Sequence, residues 1–374
     1  MNDGYIRNSQ SKNIEIELLR FFFAFVIMSF HFGLKSQFTG LASFRCGDRA
    51  VEFFFILSGL LMARSAQKYL SSVDKNNVGS IVSNTVIRKV KPLFPYVFGS
   101  SVIAFFLLYA HDLSVIQSIS EFINMIPDYL FIGGGGLHKD TLFYWGIIWY
   151  ISAMAIAILF LLPLYLLHNN ASRGFLFPLI TIATLSFLAN VGGAIILHNH
   201  WVVFTTGGVL RAIGEMSLGA ICYDISLKIS SYDYTKLGKL LFTGLKLLCF
   251  VLVFVFVLGE FPGVWNHGIL FVIAGLVVIS FSTSAYSLVN GGSLQIIQRI
   301  VTYLGKVSMP LFIIHLPLFA IITKYCGSEW VIDNINYVCI FTVIFSMVVY
   351  SAVEYTKRKT YGLRKLFIEG DITE

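Results

Sequence analysis

Residues 14–34, IEIELLRFFFAFVIMSFHFGL, decide the fold class. A helix that crosses a bilayer needs about 20 mainly apolar residues. This stretch has that length, and its charged residues Glu15, Glu17 and Arg20 all fall at its start. No small-residue cleavage site follows, and further apolar runs come after it, so it reads as a retained first helix and not as a removed signal. Working outward, runs of similar length lie near 50–67, 95–111, 146–167, 175–197, 206–227, 240–259, 265–289, 302–325 and 334–354. The expectation is an all-α, polytopic transmembrane bundle of about ten helices.

Composition agrees. Of the 374 residues, 56% are hydrophobic and 13% charged, against about 25% charged in soluble domains, and the mean hydropathy is +0.77. Residues 14–354 therefore read as one membrane domain followed by a short tail, 355–374, with no room for a sizeable soluble domain. The net charge of +7 does not point to nucleic acid, because the basic residues occupy short loops between apolar runs. With the N-terminus placed inside, 18 of the 27 Lys and Arg fall on the inner side, among them Arg88, Lys89, Lys91, Lys236, Lys239 and Lys357. Only Lys35, Arg45, Arg49 and Lys139 fall in outer segments. Basic residues accumulate on the cytoplasmic side of membrane proteins, so both termini are expected in the cytoplasm and the chain in the cell membrane. Residues 81–91 mix apolar and basic positions as a helix lying in the interface does, and the long connection 112–145 is expected to form a short interfacial helix or a lid. The five cysteines show no metal-ligand spacing, and no metal site is expected.

Ionisable residues inside spans cost about 2.5–3.5 kcal/mol on insertion scales, and here they cluster. Arg20 and His31 are eleven residues apart, three helical turns plus about 20°, so they share a face at depths about 16 Å apart. Each alone also fits a plain role, Arg20 reaching the headgroups and His31 ending the helix. Glu52 enters the second run at about the depth where His31 leaves the first, close enough to hold an imidazole in one tautomer, although a hydrated acid at a helix mouth fits as well. Ser58 and Gly59, in VEFFFILSG, suit close helix packing. Arg211 and Glu215 lie four residues apart on one helix face and can neutralise each other. His315, in LGKVSMPLFIIH with Lys306, falls near mid-membrane and is expected to be neutral and hydrogen-bonded.

Together these segments resemble the acyltransferase 3 family of membrane acyltransferases, in particular its polysaccharide O-acetylating branch. Arg20 and His31 match the family's R-x10-H motif, and Glu52 with FFFILSG matches its acidic residue before FFxxSG. IWYISAM (148–154), RAIGEMSLG (211–219) and LGKVSMPLFIIH (304–315) are similar to later family segments in the same order. RKVKPLFPY (88–96) is similar to the basic segment before the third helix, with Lys91 where the family usually has an arginine. The resemblance implies acetyl-CoA, or another acyl-CoA, as donor substrate with no permanently bound cofactor, and a hydroxyl of a carbohydrate or lipid-linked glycan as acceptor. It implies His31 as base or as acylated nucleophile, Glu52 as its orienting acid, and Arg20 as a donor or oxyanion contact. Arg88, Lys89 and Lys91 are the expected phosphate contacts of the coenzyme, and Trp149, Arg211, Glu215 and His315 the expected substrate-side residues. Two other classes fit many spans with buried charges: a polysaccharide flippase or polymerase, which would not bind acyl-CoA, and a transporter, which ordinarily has paired interrupted helices.

Overall fold

The structure is a computed structural model that describes residues 13–71, 76–137, 148–191, 201–202, 204–259, 265–286 and 295–370, without the side chains of 265–267 and 361–370. The expectations for Lys139 and for both extreme termini lie outside these residues.

The first run forms α1 (Ile14–Ser36). Asn13 caps it, its side chain accepting from the Glu15 and Ile16 amides, while Glu15 and Glu17 lie at the positive end of the helix dipole and Lys35 at the negative end. Gln37 ends the helix in the left-handed conformation at φ 55°. Then follow α2 (Ala50–Ala66), α3 (Val78–Val90), α4 (Phe94–Leu108), α5 (Val115–Asn124), α6 (Ile126–Tyr129), α7 (Ile148–Leu167) and α8 (Asn169–Ala171). After a π-turn at Ser172–Leu176 come α9 (Phe177–Asn190), α10 (Gly207–Ser230), α11 (Lys236–Leu258), α12 (Trp265–Phe281), α13 (Gln295–Cys326), α14 (Ser328–Asp333) and α15 (Ile335–Gly370). The only strands among the described residues are two-residue pieces at Trp201–Val202 and Thr205–Thr206. The chain is an all-α polytopic bundle.

Each of the ten apolar runs contains a helix, and seven helical stretches among the described residues are long and apolar enough to cross a membrane. The runs outside that set have physical reasons. The α2 and α12 helices have 17 residues each, and α10 carries Arg211, Glu215, Asp224 and Lys228. The α15 helix continues through residues 355–370. The segment around 81–91 is α3, which rests Val78 and Val82 on the bundle and runs through a 3-10 turn into α4. The 112–145 connection contributes α5, capped by a reciprocal Ser114 and Gln117 box, with Val115, Ile116, Ile119 and Ile123 all exposed.

Two helix pairs form the centre. The α1 helix packs along α13, and α2 along α10. The second pair approaches backbone to backbone: a side chain at Gly59 would collide with the Met216 carbonyl, and one at Gly219 with that of Ile56. Glycine is required at such a contact because nothing larger fits between the helices. Gly305 serves α13 in the same way against Glu17 of α1. Phe23 of α1 stacks on Phe53 of α2 with ring centroids 4.3 Å apart, joining the two pairs.

The start of α1 and the far part of α15 lie at one end of the bundle, where Glu17 is in electrostatic reach of Tyr350 and Lys357 stands over the Tyr96 ring. At this end Lys246 of α11 is buried on both carboxylate oxygens of Glu15, at 2.9 and 2.8 Å. Arg20 and Lys89 are within electrostatic reach of each other here. The opposite end carries Lys35, Arg45 and Arg49.

Candidate active site

The packing of α1 on α13 brings together two histidines 284 residues apart in the chain. His31 Nδ1 lies 2.9 Å from His315 Nε2, and the rings stack at 5.0 Å and 24°. His315 is wholly buried, and its Nδ1 lies 3.1 Å from the Leu311 carbonyl one turn back. A carbonyl only accepts, so His315 Nδ1 carries the hydrogen and, in the neutral ring, Nε2 is an acceptor. His31 Nδ1 then donates, which leaves the basic lone pair of His31 on Nε2. Hydrogen-bond logic alone assigns these tautomers.

The α2 and α10 pair builds a second cluster. Arg211 Nη2 lies 2.6 Å from Glu52 Oε1, and Arg211 Nε lies 2.9 Å from Glu215 Oε1. All three side chains are buried. The guanidinium carbon stands 5.9 Å from the centre of the Trp149 ring, a cation–π distance. The two acids share one cation. Just outside α2, Asp48 is half-buried beside Arg49; desolvation pushes its carboxyl above the ordinary range, and the charges of Arg49 and Arg211 only partly oppose this.

Between the Arg20 end and the histidines runs a line of aromatic and hydroxyl groups. Tyr150 of α7 is in electrostatic reach of Arg20, and its hydroxyl lies 3.5 Å from Ser58 Oγ. The Tyr150 ring packs on Phe312 at 5.5 Å, and Phe312 lies 6.3 Å from His315.

Residues 13–353 match the family model described as an acyltransferase domain (Acyl_transf_3). The chain belongs to the acyltransferase 3 family. It is also similar to an uncharacterized transporter of Buchnera aphidicola, 26% identical over 174 residues, which is 46% of this chain and 40% of that protein. The chain thus matches well under half the length of that relative. No solved structure matches.

In this acyltransferase 3 family member the expected site residues divide into three groups. His31 and His315 form the pair on α1 and α13. Glu52, Trp149, Arg211 and Glu215 form the cluster on α2, α7 and α10. Arg20 and Lys89 lie at the far end, with Arg20 also 3.4 Å from Glu17, while Arg88 and Lys91 are exposed on and just after α3. The expected partnership of Glu52 with His31 is replaced in both directions. Glu52 faces α10 because the Gly59 and Gly219 contact turns that side of α2 toward it, and His31 faces α13, which supplies His315. Ser58, besides suiting close packing, brings its hydroxyl to 3.5 Å from that of Tyr150. Tyr150 itself, inside IWYISAM, gave no periodic or charge signal to mark it.

Proposed function

We propose that the protein moves an acetyl or other short acyl group from acyl-CoA to a hydroxyl of a carbohydrate or lipid-linked glycan, in the cell membrane with both termini cytoplasmic. The observation that supports this best is the His31 and His315 pair, because it fixes a basic imidazole nitrogen inside a bundle of family-matching segments. A sugar hydroxyl is a weak nucleophile at neutral pH, and a placed base contributes typically about 10² to 10⁴ in rate.

In this reading the coenzyme approaches from the Arg20 and Lys89 end, where cations suit its phosphates, and its acyl arm follows the Tyr150 and Phe312 line toward His31. His31 Nε2 takes the hydroxyl proton as the oxygen attacks the thioester carbonyl. The carbon–sulfur bond then breaks, and the imidazolium returns the proton to the departing thiolate. His315 accepts from His31 Nδ1 throughout and steadies the cation that forms. A two-step route, with His31 Nε2 itself acylated before the sugar arrives, uses the same atoms and remains an alternative within this reading. The cluster of Glu52, Arg211 and Glu215 beside Trp149 lies on the substrate side.

The name of the Buchnera relative favours a second reading, transport without acyl transfer. One experiment separates them. Membranes holding the protein are given acetyl-labelled acetyl-CoA, and both binding and label transfer to glycans are measured. Saturable binding with label on a glycan hydroxyl supports the acyltransferase; absence of both supports the transporter.

A further inference from the structure

A cavity of about 750 Å³ opens at the end of the bundle that carries Lys35. Lys35 lies four residues after His31, and Phe319 four after His315, so each is one turn further along the same helix face. That places this part of the cavity lining about 6 Å beyond the histidine pair along the helix axes. Its walls are apolar, with Leu316, Phe319 and Val331 among them. Phe319 is held there by stacking on Phe32 at 4.4 Å.

Besides Ser36, Thr323 and Ser328, the polar residues in the lining are two lysines, and no carboxylate is among them. Lys35 is exposed and has no carboxylate partner among the described residues. Lys324 also lines the cavity; its Nζ donates to the Leu107 and Leu108 carbonyls at 3.2 and 2.7 Å, which orients it but leaves its charge uncompensated. Ser36 is fully buried and sits behind this wall. Glu329 and Asp333, on the neighbouring α14, do not line the cavity.

Two cations over an apolar wall match an anionic amphiphile. We propose that this cavity holds the phosphate-bearing head and first hydrocarbon segment of a lipid-linked glycan, so that the sugar on that phosphate reaches His31. The assignment of this lipid as acceptor rests on the acyl-transfer reading; its binding does not. The phosphate accepts from Lys35 Nζ and Lys324 Nζ, and the hydrocarbon lies against Leu316, Phe319 and Val331.

The test uses the full chain in nanodiscs of zwitterionic lipid without any acyl donor, and reads thermal shift and ligand retention with farnesyl phosphate, farnesol and inorganic phosphate. Farnesyl phosphate is expected to bind saturably, with farnesol and inorganic phosphate each weaker by about tenfold or more, the worth of one charge-assisted contact. Lys35→Glu and the cavity-filling Ala320→Phe are each expected to weaken farnesyl phosphate by about tenfold, with acyl-CoA binding unchanged as the check on folding. Equal binding by parent and both variants overturns the site. Equal binding of farnesol overturns the phosphate, and equal binding of inorganic phosphate overturns the lipid in favour of a soluble anion. Binding that follows the expected pattern, with no acyl transfer found in any assay, upholds the cavity while the acyl-transfer reading fails. Normal transfer by Lys35→Glu onto a lipid-linked sugar overturns the cavity while that reading stands.

Discussion

His315 faces His31 across the α1 and α13 seam, Nε2 to Nδ1 at 2.9 Å, and because its own Nδ1 is committed to the Leu311 carbonyl it acts on His31 as an acceptor. The two rings therefore have unequal jobs. His31 presents a base, and His315 sets which nitrogen of His31 is basic.

Replacing His31 with Gln keeps an amide of similar reach but no group that takes a proton at neutral pH. Transfer from labelled acetyl-CoA, measured in membranes at matched protein levels, should fall by about 10² to 10⁴. Transfer within twofold of the parent would remove His31 from the chemistry.

His315→Leu leaves the His31 Nδ1 hydrogen without that acceptor, at a cost of about 1–3 kcal/mol. The expected result is a lower kcat and a displaced pH profile for transfer, with KM for acyl-CoA little changed. A lower kcat on an unmoved pH profile would make His315 a packing residue only.

Removing one member of a buried ion pair typically costs about 3–5 kcal/mol, because a charge is left without its partner. Glu52→Gln and Arg211→Met should each lower thermal stability in detergent, and the double variant should lose less than the sum of the two. Strict additivity would show that the 2.6 Å contact contributes no coupling.

Among the three cations expected to meet the coenzyme, Lys89 is the one in reach of Arg20, while Arg88 and Lys91 are exposed. Lys89→Ala should raise KM for acyl-CoA more than it lowers kcat, since a contact remote from the reacting carbon holds ground and transition states alike. Arg88→Ala and Lys91→Ala should do less. A larger effect at Arg88 would move the donor contact to the outer face of α3.

Burial raises the Asp48 carboxyl above its ordinary 3.8. A raised folded-state pKa contributes stability that is present below the unfolded value and lost as pH rises through the folded one. Asp48→Asn should therefore be at least as stable as the parent at pH 7, with the difference vanishing below about pH 4. A variant less stable at pH 7 would give the contact with Arg49 the larger part.

Helix content was legible because a membrane span leaves a long apolar run, and all ten runs hold helices. Arg211 with Glu215 was legible as well, since neighbours four residues apart meet on any helix. What one chain read along its length does not reveal is which helices adjoin. The partnership of His31 with His315 spans 284 residues, and that of Glu52 with Arg211 spans 159. Depth along the membrane placed Glu52 near His31, but rotation about the α2 axis, set by Gly59 against α10, sent it elsewhere. Tyr150 stayed hidden because a tyrosine among apolar neighbours looks the same whether it packs or lines a path.

Pro310 and Pro317 both lie inside α13, five residues before His315 and two after it. Neither has an amide hydrogen, so the carbonyls of Lys306 and Ile313 lose their usual rungs and the backbone ladder is interrupted on both sides of the imidazole. A rod with two missing rungs bends most cheaply between them. His315 thus sits on the stretch of α13 where the helix bends most cheaply, while Gly305 seats the preceding part of α13 against Glu17 of α1.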